Sequence, residues 1–141
     1  ISPIEFEKQQ EQKKIFGLQA EIFVLNFEKK KLKRKDIDWV ADNIVNEGYD
    51  IASYNEKDDL EYNRFIEVKS YDGTTPYFYW SRNEIDVAKR KSNNYWIYLV
   101  NRKEIHKENY EPRMEQNPIE NIFKNEEWNK RIENYKISLK K

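Results

Sequence analysis

The 141-residue chain has no cysteine. That excludes disulfides, thiolate zinc sites and cysteine nucleophiles together. A single histidine, His106, sits in a polar segment and reads as a surface residue, so zinc chemistry lacks its usual ligands. Glycine (3) and proline (4) are scarce, which argues against a linker-rich or disordered chain. No apolar run approaches the roughly 20 residues that cross a bilayer, and residues 1–14 are too charged for a signal peptide. No membrane role is expected. Net charge is missing too, with 26 Lys and Arg against 26 Asp and Glu. A simple electrostatic nucleic-acid binder is usually basic. Neutrality still leaves room for an acidic centre within a mixed surface, with a partner domain supplying any further charge.

Aromatic residues are plentiful: ten Tyr, seven Phe and four Trp, 15% of the chain. They fill a core with few residues, and the length suits one domain spanning 1–141. The chain starts at Ile1 rather than Met, so the expectation is one domain of a larger protein. Richness in Lys, Asn, Ile and Tyr is typical of AT-rich genomes, which points to a bacterial source and, with no cysteine, to the cytoplasm.

Hydrophobic spacing gives the elements. Residues 5 to about 33 read as a helix, with Phe16, Ala20, Phe23, Val24 and Phe27 three and four apart. Gly17 inside it costs about 1 kcal/mol against Ala, which suggests close packing there. Residues 36–47 fit either a short strand or a helical turn. Tyr49 to Tyr54 and Arg64 to Tyr71 read as strands, and the aromatic run Pro76 to Trp80 as a third. Ser81 followed by Glu84 is a capping box that should open a helix to about Asn93. Tyr95 to Asn101 is nearly continuous apolar sequence, which suits a strand buried on both faces. A charged helix is expected from about Glu126, either as a surface helix or for docking a partner. The order αβββαβ predicts an α/β (α+β) mixed sheet flanked by helices, with a C-terminal helical extension.

Strand side chains alternate, so Phe65, Glu67 and Lys69 share one face while Ile66 and Val68 enter a core. Asp50 lies on the preceding strand. A hairpin pairing would bring Asp50 to Glu67, and two adjacent carboxylates repel unless they share a cation. Oxygen ligands without His or Cys select Mg²⁺ or Mn²⁺, and such an ion activates water and polarises a phosphoryl oxygen. Lys69 would position that water or neutralise charge developing on the phosphate.

Asp50, a gap of sixteen residues and then Glu67-Val68-Lys69 resembles the PD-(D/E)XK pattern of restriction-endonuclease-like enzymes. The resemblance implies Asp50 and Glu67 as metal ligands, with the Val68 carbonyl as a third. It implies Lys69 as the catalytic lysine and Glu21, on the first helix, as a further member of the site. A nearer resemblance is to the C-terminal domain of protein NO VEIN and its bacterial relatives. Gly17 to Glu21, Gly48 to Ile51, Ile66 to Ser70 and Asn83-Glu84 carry it, across roughly residues 10–120. Tyr49 stands where that superfamily's motif has proline. The resemblance implies a metal-dependent nuclease acting on DNA rather than RNA, within a restriction, phage-defence or repair protein, with other domains of a larger chain as partners and a homodimer possible. The alternative is a catalytically silent module that keeps the fold to bind nucleic acid or protein.

Three further features stay open on sequence alone. Lys31, Lys33 and Arg34, within six basic residues in seven, and Lys89, Arg90 and Lys91 are either phosphate contacts or solvated helix ends. Glu84 is either only a cap or also part of the site. The run Tyr77 to Trp80 either stacks on bases or is core.

Overall fold

The computed structural model describes residues 1–40 and 47–141. The first helix, α1, runs Pro3–Leu32. Ser2 caps it, its Oγ accepting from the Glu5 N–H at 3.1 Å, and Pro3 occupies a first-turn position where no N–H is needed. Lys29, Lys30 and Lys31 face the negative end of the helix dipole, and Lys33, at φ 55, ends it in the left-handed conformation. Ala20, Val24, Glu28 and Leu32, each four residues on, form the buried stripe. Phe23 and Phe27 flank it half-buried, and Phe16 lies under the Arg102 guanidinium at 4.3 Å. The close packing expected at Gly17 is absent. A Cβ there would meet nothing within 4 Å among the described residues.

The sheet has five strands in the spatial order β1-β2-β3-β4-β5: β1 Asp38–Trp39, β2 Ile51–Ser53, β3 Arg64–Tyr71, β4 Tyr95–Asn101 and β5 Arg113–Gln116. The first three pair antiparallel. β3 and β4 run parallel, joined through helix α2, Arg82–Lys91, because parallel neighbours need a crossover. β5 closes the far edge antiparallel to β4. The mixed α+β class agrees with the expectation.

Each face of the sheet is covered. On one, Ile51, Ile66, Val68, Tyr98 and Val100 pack against Ala20, Val24 and Leu32 of α1. On the other, Tyr71, Tyr95, Ile97 and Leu99 pack against Val87 and Ala88 of α2 and against Ile119. The side chains of β3 therefore alternate as its sequence requires. Ile66 and Val68 face α1, whereas Glu67 and Lys69 lie on the α2 side.

Three expectations need correction. Pro76 to Trp80 is not a strand. Its alternation is real, with Phe78 and Trp80 packed inward, but both sides of β3 are already paired, to β2 and to β4. The third antiparallel strand is instead β1, which resolves part of the ambiguity at residues 36–47; residues 41–46 lie outside the described ones. No helix follows Glu126, and residues 129–141 have no regular structure. Trp128, Ile132, Tyr135 and Leu139 do recur at helical spacing, but Ile132, Tyr135 and Leu139 stay exposed, and a stripe with no surface to bury against does not hold a helix. β5 was missed because Arg-Met-Glu-Gln offers a single apolar residue, which is enough for an edge strand. Helix α2 ends at Lys91, slightly short of expectation, and a 3₁₀ turn, Ser92–Asn94, leads into β4.

Candidate active site

Asp50 immediately precedes β2 and is clamped to β3. Its N–H donates to the Ile66 carbonyl at 2.8 Å, and its Oδ2 accepts from the Val68 N–H at 2.8 Å. The antiparallel register, Ile51 with Ile66, thereby sets Asp50 beside Glu67. The hairpin expectation holds. Glu67, 6% exposed, is flanked on the same strand face by Lys69, whose Nζ lies 3.3 Å from Glu67 Oε2.

Glu84 adds a residue that sequence reading left undecided. The Ser81 capping box is present in both directions, so Glu84 is fixed at the start of α2. The same Oε1 that accepts from the Ser81 N–H also accepts from Lys69 Nζ at 2.8 Å. The two readings of Glu84 are thus one: the cap aims the carboxylate at the lysine. Gly48 explains how α2 comes so close. Its φ is +79, and a Cβ there would stand 2.5 Å from Val87 Cγ2. Its carbonyl accepts from the buried Tyr95 hydroxyl at 2.8 Å.

Burial sets the protonation of this group. It pushes the Glu67 carboxyl well above its ordinary pKa, and the neighbouring Asp50 pushes it further, against the pull of Lys69. Burial also raises Asp50, opposed chiefly by the Val68 N–H. For Lys69, burial disfavours the ammonium, yet Glu67 and Glu84 together hold its pKa above the usual value. Burial likewise raises the Tyr95 phenol.

The other named residues are distributed as follows. Glu21 lies on α1, and its Oε1 accepts from Trp39 Nε1–H at 3.1 Å. Trp39 is in register with Ile51, so Glu21 reaches the strand next to Asp50. Among the described residues, no three acidic, imidazole or thiol side chains converge around one metal-sized point. Lys31 is paired with the buried Glu28 at 2.8 Å. Arg34 forks onto Asp36 at 2.9 and 2.7 Å, donates to the carbonyls of Lys57 and Asp59, and stacks on Tyr54, so it braces the chain itself. Lys91 lies 3.8 Å from the centre of the Phe65 ring. Lys33, Lys89, Arg90 and His106 are exposed.

Sequence reading also missed a second buried polar network. Glu28, wholly buried, accepts from Ser53 Oγ at 2.9 Å and from the Tyr98 hydroxyl at 3.0 Å. Its signal was available, since Glu28 falls on the same four-residue repeat as Ala20, Val24 and Leu32.

Fold and site together define a mixed α+β domain whose sheet carries a buried cluster of carboxylates around one lysine. The family model for protein NO VEIN, C-terminal, matches residues 20–114, about two thirds of the chain. The chain belongs to that family. The match spans Glu21, Asp50, Glu67, Lys69 and Glu84. No curated protein and no solved structure gave a match.

Proposed function

We propose that the chain is a metal-dependent nuclease domain of the restriction-endonuclease-like kind, hydrolysing phosphodiester bonds in DNA. One observation carries this reading. Two carboxylates, Glu67 and Glu84, hold the single ammonium of Lys69 at 3.3 and 2.8 Å in a largely buried place, and a third, Asp50, adjoins Glu67 across the β2–β3 pairing. Fully ionised, the group holds three negative charges against one positive. Burial makes the resulting −2 costly, and a divalent cation on Asp50 and Glu67 would neutralise it.

The donors are all oxygen, which fits Mg²⁺ or Mn²⁺; Asp50, Glu67 and the Val68 carbonyl would hold the ion, and Glu21, bonded to Trp39, would join them only by rearrangement. Bound there, the ion would acidify a water and polarise the phosphoryl oxygen. The protein's own groups supply the rest. The Val68 N–H fixes the Asp50 carboxylate in one orientation. Lys69, held between Glu67 and Glu84, orients the attacking water and offsets charge developing on the phosphate. Glu84 keeps the ammonium from collapsing wholly onto Glu67. In this reading the domain serves a restriction, phage-defence or repair protein of the bacterial cytoplasm, beside other domains or as a homodimer.

A silent module is the second reading. It is favoured by the full engagement of Lys69 with two carboxylates. Incubating the protein with plasmid DNA and Mg²⁺ or Mn²⁺ separates the two. Wild type is expected to nick or cut, and Lys69→Ala to lose at least about a hundredfold in rate, the scale of one lost electrostatic partner, with its circular dichroism unchanged. If folded, Mn²⁺-binding wild type cleaves neither DNA nor RNA, the silent module replaces the nuclease.

A further inference from the structure

The loop between β3 and α2 holds an aromatic array that the active-site reading does not use. Its residues alternate in direction. Phe78 and Trp80 point inward and are pinned from below, with ring centroids 6.0 Å apart, Phe78 6.2 Å from Trp128 and Trp80 6.3 Å from Phe123. Tyr77 and Tyr79 point outward, 48% and 68% exposed. The two rings meet edge to face at 6.5 Å, and Tyr77 meets Tyr71 at 6.4 Å. Tyr71 lies on the same strand face as Lys69, two residues on, about 7 Å along the strand. A line of tyrosines thus leads from the lysine to the surface. Three residues after Tyr79, Arg82 opens α2 with a side chain 91% exposed and 3.6 Å from Asp86.

We propose that Tyr77 and Tyr79 form a stacking platform for unpaired bases, so that the substrate presented to Asp50, Glu67 and Lys69 is single-stranded nucleic acid, or the frayed end or flap of a duplex. The inference rests on the nuclease reading and names its substrate class. Exposed aromatic rings linked through Tyr71 to the strand of a buried charged site offer flat, apolar faces to a partner. An unpaired base has a free face to offer, whereas bases inside a duplex are already stacked on their neighbours. Stacking also answers the charge problem. A chain with 26 cations and 26 anions has little general attraction for phosphate, so holding a strand falls to its rings, with Arg82 contacting the backbone. The packing of Phe78 and Trp80 fixes the loop in advance, so little order has to be imposed on binding.

Fluorescence anisotropy in EDTA, where cleavage is absent, tests this with labelled dT15, rU15 and a blunt 15-base-pair duplex. Single strands are expected to bind more tightly than duplex. Tyr79→Ala should weaken dT15 binding roughly tenfold, the effect of one lost stacked base, and Tyr79→Trp should restore it. Tyr79 is mostly exposed, so the Ala variant keeps its fold, which circular dichroism verifies. The dT15 and rU15 arms distinguish DNA from RNA. Equal binding of dT15 by wild type, Tyr79→Ala and Tyr77→Ala would overturn the platform, as would duplex binding as tight as single-strand binding. The two proposals fail separately. Tyr79-dependent binding without cleavage in Mg²⁺ or Mn²⁺ leaves the platform and removes the nuclease. Cleavage of single strands that is indifferent to both tyrosines does the reverse.

Discussion

Glu67 concentrates the energetic conflict of the site. It is a nearly buried carboxylate beside a second carboxylate, and its partner Lys69 is shared with Glu84. Without a metal, burial and mutual repulsion raise the pKa values of Asp50 and Glu67, so the native pair releases its protons at higher pH than the unfolded chain does. The sign of the pH effect follows. With the folded pKa values raised, the native state binds more protons than the unfolded state once pH exceeds the ordinary carboxylate range, so stability falls as pH rises toward the raised values. Asp36 works in the opposite sense but elsewhere. The Arg34 fork holds its carboxyl down at about 2, so its contribution is complete above the ordinary carboxylate pKa. The interval from about pH 5 to 8 therefore isolates the buried pair. In EDTA, the melting temperature of wild type should decline across that interval, while that of Asp50→Asn should stay flatter. Adding Mn²⁺ at neutral pH should raise the wild-type value and leave the variant unmoved. Parallel melting curves for the two proteins would show that Asp50 and Glu67 do not raise each other's pKa values.

At the scale of elements, the site depends on how closely α2 approaches the loop before β2. Gly48 permits that approach, both by its φ of +79 and by the 2.5 Å that a Cβ would leave to Val87. Gly48→Ala should destabilise the protein by about 2–4 kcal/mol, combining the left-handed penalty with overpacking, measured by urea titration. A loss below about 0.5 kcal/mol would mean that α2 yields freely and does not hold Glu84 in place. The Gly48-Tyr49-Asp50 run was legible through the family resemblance, whereas the positive φ of Gly48 and its approach to Val87 had no sign in the sequence. Local reasoning read α1, β3, α2 and β4 well. Each has a strong period of its own: the four-residue repeat through Ala20 and Val24, the alternation Ile66–Val68 against Glu67–Lys69, the Ser81 box, and the apolar block from Tyr95. It failed where an element exists only through its neighbours. β1 is two residues long and β5 is polar; only pairing makes them strands. Tyr77 to Trp80 had the pattern of a strand but no free edge to join. Glu84 was legible as a cap, yet its reach to Lys69 depends on α2 lying against β3, a tertiary fact with no local sign.

For the molecule as a whole, neutrality is more than a total. Many of its cations are engaged internally: Lys31 with Glu28, Arg34 with Asp36, Arg64 with the Tyr98 hydroxyl and over the Trp96 ring, Lys69 with its two carboxylates, and Lys91 over Phe65. These are the basic residues that a charge count would assign to phosphate binding. Next to the aromatic loop, Arg82 at the start of α2 and Lys103 beside Asp72 stay largely open to solvent, with side chains 91% and 69% exposed. A strand held there would displace few counterions. Each neutralised phosphate on a single strand adds about 0.7 to the slope of log affinity against log salt, so the dT15 slope should be no steeper than about −2. A basic groove contacting six or more phosphates would give about −4 or steeper. Anisotropy titrations between 50 and 200 mM NaCl read this directly, at about tenfold loss or somewhat more for the shallow case. The shallow slope with a strong Tyr79 dependence is the signature of a chain that grips bases rather than backbone. A steep slope would instead assign strand binding to the lysines along α1 and α2, and with it a duplex-sized surface that the aromatic loop does not explain.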